Sequence, residues 1–133
     1  MKIQLSEQIM ENENLLKKVE ELEFTSKDFG FYWDNLGRIM EQIRSECDEV
    51  DEAHAHNDRT HLQEEIGDLI HATLCLPVYF GMDPFETLKN STIKYEKRLN
   101  KLKQFAKEDG HENLEGASFE LMMHYWNKAK ANT

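Results

Sequence analysis

Proline and glycine are scarce in this chain, with 2 Pro and 6 Gly among 133 residues. So few breakers and turn formers disfavour a strand-rich fold and leave room for long helices. Cysteine is equally rare. Cys47 and Cys75 have no C-x-x-C spacing and read as reduced thiols of a cytoplasmic protein. Long apolar runs are missing too: the uncharged stretch from Ala72 to Met82 is far too short to span a bilayer. No basic-then-apolar leader opens the sequence, so export is not expected. Positive charge is in short supply, with 16 Lys plus Arg against 26 Asp plus Glu and a net charge of -10. Such a surface repels a phosphate backbone and an anionic membrane, so neither nucleic acid nor membrane is an expected partner. A small phosphorylated ligand remains compatible with it, because a few placed cations or a metal ion reverse the field locally. What is present is a 39% hydrophobic content and a length suited to one core burying about two-thirds of the unfolded surface. The expectation is a single all-α domain over residues 1–133.

Apolar periodicity divides the chain into helices. Ile9, Leu15, Leu16, Val19 and Leu22 mark a first helix from about Ser6 to Phe24, closed near Ser26–Gly30. Asp34 or Asn35 can cap a second helix from Leu36 to about His54, whose stripe is Leu36, Ile39, Met40, Ile43, Cys47 and Val50. A third, from Arg59 to about Phe80, repeats Leu62, Ile66, Leu69, Thr73 and Leu76. Pro77 is expected to end or kink it, and Gly81 suits its C-terminal cap. Asp83-Pro84-Phe85-Glu86 opens a fourth helix that reaches about Glu108 and carries Phe85, Leu88, Thr92, Tyr95, Leu99 and Leu102. Ser118 caps a short last helix ending near Lys130. Connections this short favour antiparallel neighbours. The expected architecture is an antiparallel helical bundle of four main helices and a short C-terminal helix, its core completed by pairing with another copy.

Two acidic pairs stand out: Glu46 with Glu49 on the second helix, and Glu65 with Asp68 on the third. Residues three apart share a helix face. At about 100° per residue, both pairs lie beside the apolar stripes of their helices and not opposite them. If the two helices pack antiparallel, four carboxylates converge, and they repel one another unless a cation or protons intervene. Hard oxygen donors of this kind suit Mg²⁺ or Mn²⁺. Such acidic pairs are also common on solvated helix faces; placement on both stripe edges is what argues for a site. On the fourth helix Asn90, Lys94 and Arg98 form one ridge, and Lys and Arg are the usual partners of phosphate. Lys89, Lys97, Lys101 and Lys103 crowd the same helix, so on spacing alone a merely solvated face is the better reading of that ridge.

The order Glu46-x-x-Glu49, Glu65-x-x-Asp68, Lys94-x-x-x-Arg98 resembles the MazG family of nucleoside triphosphate pyrophosphohydrolases. Gly30-Phe31-Tyr32-Trp33 resembles the family's segment ahead of the acidic helix. Lys94-Tyr95-Glu96-Lys97-Arg98-Leu99 and the stretch from Ser118 to Lys130 resemble later motifs, so the likeness covers about Phe24 to Lys130. The resemblance implies an all-α enzyme, a homodimer or homotetramer, that converts a nucleoside triphosphate to the monophosphate and pyrophosphate. It implies that Glu46, Glu49, Glu65 and Asp68 bind Mg²⁺, with Mn²⁺ as a substitute. It further implies that Lys94 and Arg98 hold the phosphates, with Asn90 on the same ridge as a further substrate-binding candidate, and that Trp126, Lys130 and Trp33 contact the rest of the nucleotide. Glu49 is the expected general base, taking a proton from the attacking water. Two positions depart from the family pattern: Gln42 and Ser45 stand where relatives often carry Lys and Glu.

Other chemistry-bearing residues have plainer readings. His54, His56 and His61 cluster at a polar turn. Asp68-x-x-His71 has the spacing of a carboxylate–His pair, as in di-iron bundles, but occurs once. Cys47 falls on the stripe and reads as core. The aromatic run Phe29, Phe31, Tyr32, Trp33 reads as bundle packing, and Met122, Met123, Tyr125 and Trp126 as a cap on the bundle or a face against a second subunit. Two rival functions follow from the same residues. One is a di-metal carboxylate redox bundle, and the other is a non-catalytic helical interaction module.

Overall fold

The computed structural model describes residues 12–133. Ser6 and Ile9 of the expected first helix lie outside the described residues. Among the described residues the chain is all-helical: α1 (Asn12–Phe29), α2 (Leu36–Ala55), α3 (Arg59–Tyr79), α4 (Pro84–Glu108) and α5 (Phe119–Ala131). Among these residues no helix is long and apolar enough to cross a membrane. Two compact units emerge, one ending at Thr87 and the other running from Leu88 to Thr133.

In the first unit α2 packs along α3, and α1 also packs on α3. Local chemistry sets each boundary. The Asn35 side chain accepts from the Arg38 N–H at 3.0 Å, so Asn35, and not Asp34, caps α2. Asp58 caps α3 through the His61 N–H at 3.1 Å. Between them the chain turns at Asn57, whose φ of 55° is left-handed and suits Asn better than most side chains. α1 runs five residues past Phe24 to Phe29. The hydroxyls of Thr25 and Ser26 bond to the carbonyls of Glu21 and Phe31, so this polar cluster does not break the helix. Gly30 stops it: its φ of 100° lets the Phe31 N–H reach back to the Ser26 carbonyl.

Pro77 does not end α3. Its ring removes only the donor to the carbonyl four residues back, and the Phe80 N–H resumes the pattern onto Leu76 at 3.2 Å. Gly81, with φ 71°, terminates the helix as the Met82 N–H bonds to the Pro77 carbonyl. Asp83 then receives the N–H groups of Phe85 and Glu86, and the buried Pro84 takes the first helical position.

The buried seam differs from the apolar stripe. On α2 the buried residues are Ile39, Glu46 and Ala53, spaced by seven, while Cys47 is exposed. On α3 they are Ala72, Cys75 and Pro77, with Ile66 and Thr73 exposed. The seam of α3 therefore runs through Leu62, Glu65, Leu69 and Ala72, rotated from the stripe read off hydropathy. A helix with apolar residues at many positions admits either seam. The small side chain of Ala72 suits the one that is used. The aromatic run is likewise not packed into the core, since Phe29 is 91% and Phe31 79% exposed.

In the second unit Ala106, Tyr125 and Ala129 are buried. The Tyr125 hydroxyl donates to Asp109 Oδ2 at 2.8 Å, and burial together with that carboxylate raises its pKa. Lys128 Nζ lies 4.4 Å over the Phe105 ring. Ser118 caps α5 through the Leu121 N–H.

Candidate functional site

The hairpin of α2 and α3 pivots on Asn57. Glu46 and Asp68 are equally far from that residue on either side, and so are Glu49 and Glu65. Pairing about such a turn brings each acid of α2 opposite one of α3. Accordingly, carboxylate oxygens of Glu46, Glu49 and Glu65 all lie within 4.8 Å of one another. Asp68 is exposed and lies outside that group of three, although it lines the same cavity as Glu46 and its charge raises the Glu46 pKa.

Glu46 is not at the edge of the stripe; it occupies the seam itself, only 9% exposed. Burial raises its pKa above the ordinary carboxylate range, and the adjacent Glu49 and then Asp68 push it in the same direction. Gln42 opposes this by donating from Nε2 to Glu46 Oε1 at 2.6 Å. A neutral amide thus supports Glu46 where the family pattern often has a cation. Among the described residues Glu46 Oε2 has no partner, and neither does Glu65 Oε2, although both atoms are buried. On Glu65 the other oxygen lies 3.7 Å from His61 Nε2.

Two facing helices therefore each offer one buried carboxylate oxygen with no hydrogen-bond donor. An unsatisfied buried anion is among the costliest arrangements in a protein interior. Oxygen-only donors, crowded and unpaired, fit a hard divalent cation such as Mg²⁺.

The cavity beside this cluster has a volume of about 400 Å³. That size lies in the range of small-ligand sites. Trp33, Tyr32 and Phe31 from the α1–α2 connection line it, with Gln42, Glu46, Asp68 and Ala72. Trp33 is partly covered and the other two are exposed. His71 does not join the acidic cluster: its Nε2 lies 3.2 Å from Glu23 Oε1, and Cys75 completes a group of three with ligand atoms within 4.8 Å. Burial, and then the charge of Glu23, push the Cys75 thiol up to about 12. Glu23 was not legible as a site residue, being one glutamate among several on α1. The one available signal was the spacing of His71 and Cys75, four apart on one helix face.

The remaining expected site residues belong to the second unit. Lys94 and Arg98 are one turn apart on α4, and Arg98 Nε donates to Thr133 Oγ1 at 3.3 Å. Trp126 on α5 packs against Tyr95 with ring centroids 5.7 Å apart, which ties α5 to the Lys94–Arg98 turn. Lys130 follows one turn later and is exposed, as is Asn90.

Residues 35–103 match the MazG nucleotide pyrophosphohydrolase domain. Over 117 residues the chain is 28% identical to the nucleoside triphosphate pyrophosphohydrolase of Escherichia coli (strain K12), an alignment covering 86% of this chain and 44% of that protein. The protein of the same name from Escherichia coli O157:H7 gives the same figures. The uncharacterized protein YabN of Bacillus subtilis (strain 168) is 34% identical over 77 residues, 58% of this chain and 15% of its own length. The chain thus spans less than half the length of the curated relatives it matches. The matched segment contains both acidic pairs, the hairpin that joins them, and the Lys94–Arg98 ridge. On that match, over half of its length, the chain belongs to the MazG nucleotide pyrophosphohydrolase domain family.

Proposed function

We infer that this protein hydrolyses a nucleoside triphosphate to the monophosphate and pyrophosphate in the presence of Mg²⁺. The observation that carries the reading is the pair of unpartnered, buried oxygens, Glu46 Oε2 and Glu65 Oε2, beside Glu49 in a MazG-family chain. Glu46, Glu49, Glu65 and Asp68 are the residues that would hold Mg²⁺. When bound, the ion supplies neutralisation of phosphate charge and a lowered pKa for a coordinated water.

The chain's own residues do the rest. Gln42 fixes Glu46 through its 2.6 Å hydrogen bond and leaves the second oxygen free to ligate. Glu49 is the residue assigned to accept a proton from the attacking water. Lys94 and Arg98 bind the phosphates and stabilise charge on the departing pyrophosphate, with Asn90 on the same ridge. Trp33, on the cavity wall, offers an aromatic face to the base; Trp126 and Lys130 contact the nucleotide from α5. Apolar side chains left bare on the described residues, among them Ile70 at 55% and Leu22 at 49% exposed, support a homodimer or homotetramer. The unpaired thiols support a cytoplasmic setting. The acid excess supports a protein that binds neither nucleic acid nor membrane.

A panel of canonical and modified nucleoside triphosphates with Mg²⁺, scored for pyrophosphate against orthophosphate, tests the activity. Pyrophosphate is the expected product. Release of orthophosphate alone moves the attack to a different phosphorus and defeats the assignment. A protein indifferent to Mg²⁺ and inert toward every nucleotide is the interaction module instead.

A further inference from the structure

We propose that Glu23, His71 and Cys75 form a second metal site, for a thiophilic divalent cation of the Zn²⁺ class, on the wall of the same cavity. The three residues come from two helices: Glu23 from α1, and His71 and Cys75 from α3. All three line the cavity, and their ligand atoms lie within 4.8 Å of one another. Tetrahedral Zn²⁺ with its usual bond lengths needs ligand edges of roughly 3.5 Å. The 3.2 Å separation of Glu23 Oε1 and His71 Nε2 already meets that. Drawing in Cys75 Sγ takes side-chain adjustment only, since His71 and Cys75 stand one turn apart on a common helix face.

Donor chemistry separates this group from the acidic cluster. Three carboxylates suit a hard ion, whereas one carboxylate, one imidazole and one thiol form the borderline-soft set that selects Zn²⁺ and its Co²⁺ surrogate over Mg²⁺. An ion pair accounts for Glu23 with His71, but not for a sulfur within reach of both. The thiol is 7% exposed and gives its proton to the His71 carbonyl at 3.4 Å. Metal binding expels that proton and leaves a thiolate ligand. Three protein ligands leave a fourth position for water, as in open zinc sites. The site would also clamp α1 to α3, a link the hairpin itself does not provide. None of this requires the proposed hydrolysis.

The test uses the full chain with saturating Mg²⁺ to occupy the acidic cluster, and Co²⁺ as the spectroscopic probe. One equivalent of Co²⁺ is expected to give a thiolate-to-cobalt charge-transfer band that Zn²⁺ bleaches stoichiometrically. Cys75→Ala is expected to abolish the band. His71→Ala, at a half-exposed position that folding tolerates, is expected to weaken Zn²⁺ binding more than about tenfold. Zn²⁺ is also expected to raise the melting temperature of the wild type but not of His71→Ala. Absence of the band in the wild type, its persistence in Cys75→Ala, or unchanged Zn²⁺ affinity in His71→Ala overturns the proposal. In Glu49→Gln the band is expected to remain, and its loss there places the metal in the acidic cluster and likewise overturns it.

Discussion

Glu46 and Cys75 border the same cavity and are both closed off from bulk water, yet their surroundings differ in kind. The charged groups that shift Glu46 are all acids, and among the described residues one of its oxygens has no donor. Around Cys75 the groups partly satisfy one another, with His71 against Glu23 and the thiol on a backbone carbonyl. The first arrangement is costly without a cation, and folding alone gives no reason to keep it. The second is stable without one and becomes a metal site only on exchange of a proton. Need for a ligand is thus readable from dissatisfaction at one end, and capacity for a ligand from donor type at the other.

The strongest way to break this contrast is to remove the acids. Glu49→Gln, at the proposed base, is expected to lower turnover about 10²–10⁴-fold while circular dichroism keeps its helical signal. Asp68→Asn is expected to raise the Mg²⁺ concentration needed for activity, again without loss of helix. Full activity in both variants removes these residues from the mechanism. Next in size is the phosphate ridge. Arg98→Ala removes charge-assisted hydrogen bonds worth about 1.5–3 kcal/mol each, a loss of about 10–100-fold in kcat/KM for a triphosphate. Equal loss toward a nucleoside monophosphate as inhibitor would show that Arg98 does not read the pyrophosphate end.

Acid should affect the two metal-free and metal-bound forms oppositely. The pKa of Glu46 is raised on folding, so the native chain holds that proton more tightly than the unfolded chain does. Its contribution to stability is therefore full below the ordinary carboxylate range and is lost as pH climbs through the raised value. In chelator, wild type is expected to lose more stability than Glu46→Gln over that climb, measured by urea unfolding at a series of pH values. With Mg²⁺ present the sign reverses, because the ion requires the ionised carboxylate and its binding releases protons. Parallel pH profiles for wild type and Glu46→Gln in chelator would count against the buried, crowded setting of Glu46.

Much of this was legible from residues alone, for identifiable reasons. Caps at Asn35, Asp83 and Ser118 depend on contacts within four residues, so local sequence carries them. The approach of Glu46, Glu49 and Glu65, though not of Asp68, depends on their spacing about one short turn, which is nearly as local. The rotation of the buried seam was not legible, because the three-and-four spacing from Leu62 runs through Ile66 and Thr73, and the small Ala72 and the acid Glu65 take the packed positions instead. Nor was Glu23, whose place is set by how α1 lies on α3, a separation of 48 residues from His71. The full extent of α1 was missed because the Thr25 and Ser26 hydroxyls bond back to the backbone and let the helix pass.

The two cysteines give the smallest and cleanest test of the seam. Hydropathy places Cys47 in the stripe, whereas the structure leaves it exposed and buries Cys75. Cys47→Ser is a surface change with no partner at stake, expected to shift stability by no more than about 0.5 kcal/mol. Cys75→Ser can keep the bond to the His71 carbonyl but buries a more polar group in place of the thiol, and is expected to cost about 1–3 kcal/mol. Reactivity should follow the same order. A thiol held near pKa 12 is almost wholly protonated at neutral pH, so Cys75 should resist alkylation in the native protein and react only on unfolding. Cys47 should alkylate at once. Equal labelling of both thiols in the native state would mean that the seam of α3 opens readily, and with it the wall shared by the two ends of the cavity.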